Sequence, residues 1–154
     1  MTQPKFVPRP GQVDYTNIRY APAVNIILEH DGKIFCVKRS DDMRLYPGYW
    51  HWPSGFLDDD KSIEEKVYEE LAEELSIQRS DVISITRGTV IVDESPQYKK
   101  TWLLMPVHVK VKTPKTKLDW EASGGRWFTP TEVKNLHHIP GALASAVQFF
   151  PEVL

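Results

Sequence analysis

Apolar residues recur at every fourth position between residues 62 and 77, which predicts an amphipathic helix. The apolar positions with this spacing are Ile63, Val67, Leu71 and Leu75. Ser62, followed by Glu65 three residues later, has the form of a capping box. The helix is therefore predicted to begin at Ser62.

Runs of branched and aromatic residues predict strands on both sides of this helix. The predicted strands are residues 22–30, 33–39, 82–93 and 99–112. Asp31 and Gly32 separate the first two and are typical of a tight hairpin turn. A second turn is predicted at residues 94–97. A final amphipathic helix is predicted over residues 141–150, between two prolines.

Three acidic residues of the predicted helix, Glu70, Glu73 and Glu74, lie one helical turn apart. At about 100° per residue, Glu74 falls inside the apolar stripe, between Ile63 and Val67. Burying an unpaired carboxylate costs on the order of several kcal/mol. An acidic run is more commonly a solvated helix face, but an acid on the packing face favours a cation site. Oxygen ligands of this kind suit Mg²⁺ or Mn²⁺.

Chain length, net charge and cysteine content limit the kinds of protein that this sequence can be. The 154 residues suffice for one domain with its own core, and the formal net charge of −2 gives no field for nucleic-acid binding. The single cysteine, Cys36, excludes an intrachain disulfide framework and is expected in the core. The sequence shows no signal peptide and no apolar run of membrane length, so a cytoplasmic protein without a membrane partner is expected. Residues 1–19 are rich in proline and are expected to form an N-terminal arm before a domain over residues 20–154.

The helix and the residues before it resemble the signature of the Nudix hydrolases, the MutT-like family. That signature reads Gly, five residues, Glu, seven residues, then Arg-Glu-apolar-x-Glu-Glu-x-Gly-apolar. The matching positions are Gly55, Glu70, Leu71, Glu73, Glu74 and Ile77. Three positions depart: Lys61 replaces the first Glu, Glu69 replaces the Arg, and Ser76 replaces the last Gly.

Flanking segments extend the resemblance over about residues 20–150. Residues 47–55 are similar to the family's Pro-Gly-x-Trp-x-x-Pro-Gly-Gly segment. Residues 121–128 are similar to its Glu-x-x-x-x-x-Trp element. Residues 129–132 match the Thr-Pro-x-Glu helix start that follows, with Pro130 at the first helical position. The resemblance implies an α/β fold, a Nudix-type α/β/α sandwich in which a mixed β-sheet lies between helices.

The resemblance also implies a function. It implies Mg²⁺- or Mn²⁺-dependent hydrolysis of a nucleoside diphosphate linked to another moiety, such as a nucleotide sugar or a dinucleotide. The implied metal ligands are Glu70, Glu73 and Glu74, and the implied catalytic acids are Glu73, Glu74 and, from a later loop, Glu121. The expected substrate contacts are Arg39, Trp50, Gly55 in a turn, and Lys61 near the substrate phosphate. A small-molecule nucleotide is the expected partner, and a homodimer is left open.

Other residues near the signature are expected to be structural. Glu69 is expected to face solvent, and Lys66 is expected to partner Glu70 and Glu73. Trp52, Trp102 and Trp127 are expected to pack in the core or on a strand rather than to stack on a ligand. His51 is expected on the polar surface rather than at a substrate phosphate or sugar.

Two alternatives remain open. A catalytically inactive nucleotide-binding sensor on the same fold is favoured by Lys61 and Glu69 and opposed by the three intact acids. An isopentenyl diphosphate isomerase-like enzyme shares the architecture but needs a catalytic Cys in a Cys-Ser-His-Pro-like setting. Cys36 lacks such neighbours.

Overall fold

A computed structural model of the chain describes residues 7, 10, 17–57, 59–119 and 122–154. The strands are β1 (Tyr20–His30), β2 (Lys33–Arg39), β3 (Trp50–His51), β4 (Ser54–Phe56), β5 (Val82–Arg87), β6 (Ile91–Ser95), β7 (Lys100–Val111) and β8 (Ala122–Phe128). The helices are α1 (Ile63–Leu75), α2 (Pro130–Val133) and α3 (Ala142–Ala146). In the part of the chain that the structure describes, no helix is long and apolar enough to cross a bilayer.

The strands form one mixed sheet, which confirms the predicted fold class. The order is β3-β2-β1-β7-β5, with β4 also paired to β1, β6 to β7, and β8 to β2. β1 runs parallel to β7, and the other pairs of these strands are antiparallel. Helix α1 packs on one face, and α2 and α3 pack on the other.

The hairpin between β1 and β2 is confirmed. Asp31 and Gly32 have φ angles of 53° and 79°, and a type I′ turn requires positive φ at both central residues. His30 pairs directly with Lys33 across this turn.

Helix α1 begins as predicted and ends at a strained residue. Ser62 is its N-cap, and both hydrogen bonds of the capping box with Glu65 are present. Ser76 ends the helix in the left-handed conformation, with φ 56° and ψ 31°. The left-handed region costs an L-residue about 1–2 kcal/mol and favours glycine. The departure at Ser76 therefore affects the helix end.

Ser76→Gly is expected to raise the free energy of unfolding by about 1 kcal/mol, because glycine adopts the left-handed conformation without a Cβ clash. Chemical denaturation of both proteins measures the change. Ala72→Gly, at an exposed position inside the same helix, is the control and should destabilise by a similar amount. A loss of stability in Ser76→Gly would contradict this account of the helix end.

The strand predicted over residues 82–93 is divided into β5 and β6. Both pair with β7, where Arg87 lies opposite Val107 and Ile91 lies opposite Leu104. Between these pairs β7 carries Pro106, which has no N–H to donate. The turn that follows β6 is a 3₁₀ turn at Pro96–Tyr98, slightly later than predicted.

The last helix is shorter than predicted. Helix α3 ends at Ala146, and the backbone N–H groups of Phe149 and Phe150 both donate to the Ala146 carbonyl. The residue before a proline is disfavoured in a helix, and Phe150 before Pro151 is accordingly non-helical.

Two hydrophobic cores lie on opposite faces of the sheet. In the first core, Val67, Leu71 and Leu75 of α1 pack against side chains that include Val24, Ile26 and Leu28 of β1. In the second core, Ala142 and Ala146 of α3 pack against side chains that include Ile27, Trp52 and Phe128. Cys36 belongs to the second core, as predicted, and burial raises the pKa of its thiol. A buried neutral thiol is a poor nucleophile, which opposes the isomerase alternative.

Candidate active site

A cleft of about 200 Å³ lies on the face of the sheet that carries α3. Glu70 and Glu73 of α1 lie beside β4 at one end, and Asp93 and Ser95 of β6 lie at the other. β4 and β6 are on opposite sides of the β1–β7 pair, so the cleft crosses four strands. Its apolar walls are formed by Met43, Leu45, Tyr46, Trp52, Phe56, Trp102, Leu104 and Ile139.

Gly55 lets an acid of α1 reach the cleft. The residue was predicted in a turn but lies inside strand β4, opposite Val24. A Cβ built on Gly55 would be 2.3 Å from the Oε1 and Cδ atoms of Glu70. Glycine is needed here because the Glu70 carboxylate occupies the space of a side chain, rather than because of a turn.

Three acids of α1 converge at this end of the cleft. Glu69, Glu70 and Glu73 each offer a carboxylate oxygen, and the three oxygens lie within 4.8 Å of one another. Glu69 forms ion pairs with Lys61 and Lys66. Glu70 and Glu73 line the cleft. A divalent cation fits this corner, because hard cations take oxygen ligands and the missing Gly55 side chain leaves Glu70 room.

Glu74 occupies the buried position that the helical wheel predicts. It is 9% exposed and lines a smaller cavity with His51, Leu118 and Asp119. His51 lines both this cavity and the main cleft. Glu74 therefore lies in a cavity beside the cleft, and His51 borders both.

Arg39 and His51 form a fixed pair in the cleft. The Arg39 Nε donates to the Leu45 carbonyl at 2.6 Å, and Nη1 lies 3.4 Å from the His51 Nε2. Burial, and next the charge of Arg39, hold the pKa of His51 well below its usual range. His51 is therefore neutral at neutral pH, with Nε2 facing the arginine as an acceptor.

The prediction that His51 lies on the polar surface was wrong. His51 is in β3, paired with Val37. A strand of two residues is too short to give a periodic signal in the sequence, and only its pairing with β2 places the ring inside the cleft.

Lys61 and Glu69, two of the departures from the family signature, contact each other directly. The hydrogen bond between them raises the pKa of Lys61 and lowers the pKa of Glu69. Lys61 was predicted at the substrate and Glu69 in solvent, and the structure gives both a different partner. Where the family places Glu and Arg, this chain places Lys and Glu, so the charges are exchanged rather than lost.

Lys66 completes this ion-pair cluster. Its side chain is only 4% exposed, and its Nζ donates to Asp59 at 2.8 Å and to Glu69 at 3.5 Å. Burial opposes the charged form of Lys66, but the hydrogen bond to Asp59 and the charges of the nearby acids, including Glu70, raise its pKa overall. Lys66 was predicted to partner Glu70 and Glu73, but its Nζ donates to Asp59 and Glu69 instead.

Exchanging the charges of Lys61 and Glu69 tests this pairing. Lys61→Glu places a second acid beside Glu69, and Glu69→Arg places a second cation beside Lys61. Each single variant is expected to melt at a lower temperature than the wild type. The double variant is expected to lose less than the sum of the two single losses, although Asp59 and Lys66 then face like charges. Thermal melts of the four proteins at low salt measure the coupling. Additive losses in the double variant would contradict a direct pair.

The aromatic residues of the cleft differ from those predicted. Trp50 packs edge-on against Phe128, with ring centroids 5.4 Å apart, in the second core. Among the described residues that line the cleft, Trp50 is absent. In the pairing of β3 with β2, His51 lies opposite Val37 of the first core, and Trp50 faces the other side, where it packs in the second core beside the cleft. Trp102 packs from β7 against the cluster of Leu45 and Tyr46, as expected, and it also lines the cleft, with its ring 5.7 Å from that of Phe56.

Glu121, the later acid predicted for catalysis, lies outside the described residues. Strand β8 begins at the next residue, and its Ala122 and Gly124 pair with Arg39 and Lys38 of β2. The prediction for Glu121 stays a prediction.

Comparisons with known proteins agree with this architecture. A family model described as "NUDIX domain" matches residues 19–149. A NUDIX hydrolase from Nitrosomonas europaea is 19% identical, with a TM-score of 0.70, over 86% of this chain and 90% of that chain. The NUDIX domain of Shewanella oneidensis NrtR, in complex with ADP ribose, is 18% identical, with a TM-score of 0.69, over 88% of each chain. A C. elegans Ap4A hydrolase is 15% identical, with a TM-score of 0.65, over 88% of this chain and 98% of that chain.

At these identities the solved structures establish the likeness of the fold. The comparison with curated proteins gave no match.

Proposed function

The chain belongs to the NUDIX family, whose model covers residues 19–149, and from this premise we propose a Mg²⁺- or Mn²⁺-dependent hydrolase of a nucleoside diphosphate linked to another moiety. Family membership confirms the prediction of a Nudix-type hydrolase. The proposed metal dependence and substrate class rest on one observation, which is that the cleft has two chemically different parts. Glu70 and Glu73 form an acidic end, and aromatic rings line the remainder.

The residues that would hold a cation are Glu70 and Glu73, which line the cleft and belong to the group of converging oxygens. Glu74, the third predicted ligand, is buried beside the cleft, is not in that group and stays a prediction. When bound, the cation neutralises phosphate oxygens and acidifies a water molecule.

The protein groups then have separate roles. Arg39, oriented by the Leu45 carbonyl, supplies a fixed positive charge toward the diphosphate. Glu73 is exposed at the mouth of the cleft and can accept the proton of the attacking water. Neutral His51 holds Arg39 in place without adding a competing charge. Glu74 and Glu121 are further candidates for the proton acceptor.

Two of the solved structures support a nucleotide as the substrate. One is a complex with ADP ribose, and another is an Ap4A hydrolase. The aromatic walls of the cleft support the same class, because a base can stack on any exposed ring face.

The inactive sensor remains the second candidate, and the structure weakens its main argument. Lys61 and Glu69 favoured it as losses from the signature. Their direct contact instead forms an ion pair beside the acids.

A substrate panel distinguishes the two functions. Nucleotide sugars, dinucleotides and nucleoside triphosphates are incubated with the protein and Mg²⁺ or Mn²⁺, and the released nucleotide or phosphate is measured. We expect metal-dependent turnover of at least one diphosphate-linked nucleotide. Binding of a nucleotide without turnover under either metal would instead support the sensor.

A further inference from the structure

Asp93 is a carboxylate of the cleft that the proposed chemistry does not use. It lies directly opposite Trp102 in the pairing of β6 with β7, so both side chains are on the same face of the sheet. A Cβ built on Gly141 would lie 2.8 Å from the Asp93 Oδ1. The carboxylate therefore packs against the Gly141 backbone, at the end of the cleft away from Glu70.

Within the described part of the chain, the Asp93 carboxylate has no hydrogen-bond donor. Among residues 7, 10, 17–57, 59–119 and 122–154, no hydrogen bond or ion pair to its carboxylate is found. Burial raises its pKa, so the charged form lacks compensation. The positively charged side chain of Arg39 also lines the cleft, but its Nε donates to the Leu45 carbonyl and its Nη1 faces His51. A partly buried acceptor without a donor is unfavourable, which points to a ligand that brings N–H donors.

Aromatic rings beside Asp93 provide a stacking surface. Trp102 and Phe56 are half-buried, and their ring centroids are 5.7 Å apart. Tyr46 is held on the neighbouring wall, where its hydroxyl lies 2.8 Å from the Ser95 Oγ and accepts from Gln97 at 2.9 Å. The rings are thus positioned before a ligand arrives, and a base can stack on them because every base has a π-face.

A carboxylate beside a stacking surface discriminates among the bases, because it only accepts hydrogen bonds and has two oxygens. Guanine presents two adjacent donors on its pairing edge, the ring N1–H and the exocyclic amino group. Adenine and cytosine present one amino group beside a ring nitrogen acceptor. Uracil presents one N–H between two carbonyls. A second carboxylate oxygen would repel each of those acceptors.

We infer that the cleft selects guanine nucleotides, with both oxygens of Asp93 accepting from the pairing edge of a guanine stacked against Trp102. The inference rests on the proposed function, because the base must be attached to the diphosphate at the acidic end. β6 and β4 are separated by three strand spacings, or about 14 Å. The ribose and diphosphate of one nucleotide cross this interval toward Glu70 and Glu73.

Nucleoside monophosphates test the inference without turnover, because they contain no anhydride bond to hydrolyse. Calorimetry with Mg²⁺ measures the binding of GMP, IMP, XMP and AMP to the wild type and to Asp93→Asn. IMP lacks the exocyclic amino group, and XMP carries a carbonyl in its place. A carboxamide offers one acceptor and one donor, which match the N1–H and that carbonyl of XMP.

The wild type is expected to bind GMP about tenfold or more tightly than IMP or AMP. Asp93→Asn is expected to reverse the order, with GMP weakened about tenfold and XMP strengthened. Removing a negative charge helps every anionic ligand equally, so the order of affinities is the decisive reading. Glu94→Gln removes a charge from the exposed face of the same strand and is expected to keep the wild-type order.

Equal binding of GMP and AMP by the wild type, no binding of any monophosphate, or an unchanged order in Asp93→Asn would overturn the inference. These outcomes are separable from failure of the hydrolase. Turnover of the substrate panel without a guanine preference refutes the role of Asp93 alone. Selective binding of GMP by a protein that hydrolyses nothing supports the role of Asp93 and refutes the hydrolase.

Discussion

Glu70→Gln is expected to lower metal-dependent turnover by about 100- to 10,000-fold while the protein remains folded. Glutamine keeps the shape of the side chain that fills the space beside Gly55. It removes a negative charge at a point where three acids offer oxygens within 4.8 Å of one another. The loss should therefore fall on cation binding rather than on packing.

Steady-state kinetics over a range of Mg²⁺ concentrations, with a thermal melt of each protein, measure this outcome. Glu65→Gln is the matched control. It removes one charge from the same helix, and glutamine serves in a capping box as glutamate does. Should Glu70→Gln fail to fold, Glu73→Gln tests the same corner from an exposed position. A folded Glu70→Gln protein with more than about a tenth of wild-type turnover would contradict the proposed site.

Gly55→Ala is expected to lower both metal affinity and turnover by at least about tenfold. The added Cβ would lie 2.3 Å from the Glu70 carboxylate, far inside van der Waals contact, so Glu70 must move away from the corner. Misplacement of a catalytic group by about 1 Å can reduce a rate by about 100-fold. Calorimetric titration with Mn²⁺ and steady-state kinetics report the two effects.

Gly124→Ala is the control for a glycine in a strand, because nothing lies within 4 Å of a Cβ at that position. It should leave metal affinity unchanged. Glu70→Ala supplies a further test, since adding Gly55→Ala to that variant should have little additional effect. A Gly55→Ala protein with wild-type metal affinity would show that the contact with Glu70 does not position the acid.

Local signals were sufficient for the elements that the sequence predicts well. The Asp31–Gly32 turn and the capping boxes at Ser62 and Thr129 depend on residues within three positions of one another. The break between β5 and β6 lies opposite Pro106 of β7, a pairing that residues 82–93 alone do not show. Helix α3 ends before Phe149 and Phe150, which pack against the second core.

The same distinction applies to the candidate site. The positions of Glu70, Glu73 and Glu74 follow from one helix, and the sequence places them together. Asp93, Trp102 and His51 lie on different strands, and only strand pairing brings them to one cleft. Each reads in the sequence as an ordinary strand or loop residue, so no local pattern could identify it.

The ion pair of Lys61 with Glu69 was missed for a related reason. A helical wheel describes α1 alone and places Glu69 toward solvent. The segment before the helix folds back over that side, and Lys61 and Asp59 join Lys66 and Glu69 there.

The most direct test of the proposed metal-dependent hydrolase is the position of its cation. A crystal soaked with Mn²⁺ and a diphosphate-linked nucleotide is measured at the manganese absorption edge. We expect an anomalous peak within bonding distance of carboxylate oxygens of Glu70 and Glu73 and of the diphosphate. A bound diphosphate with no peak within bonding distance of Glu70, Glu73 or Glu74 would contradict it.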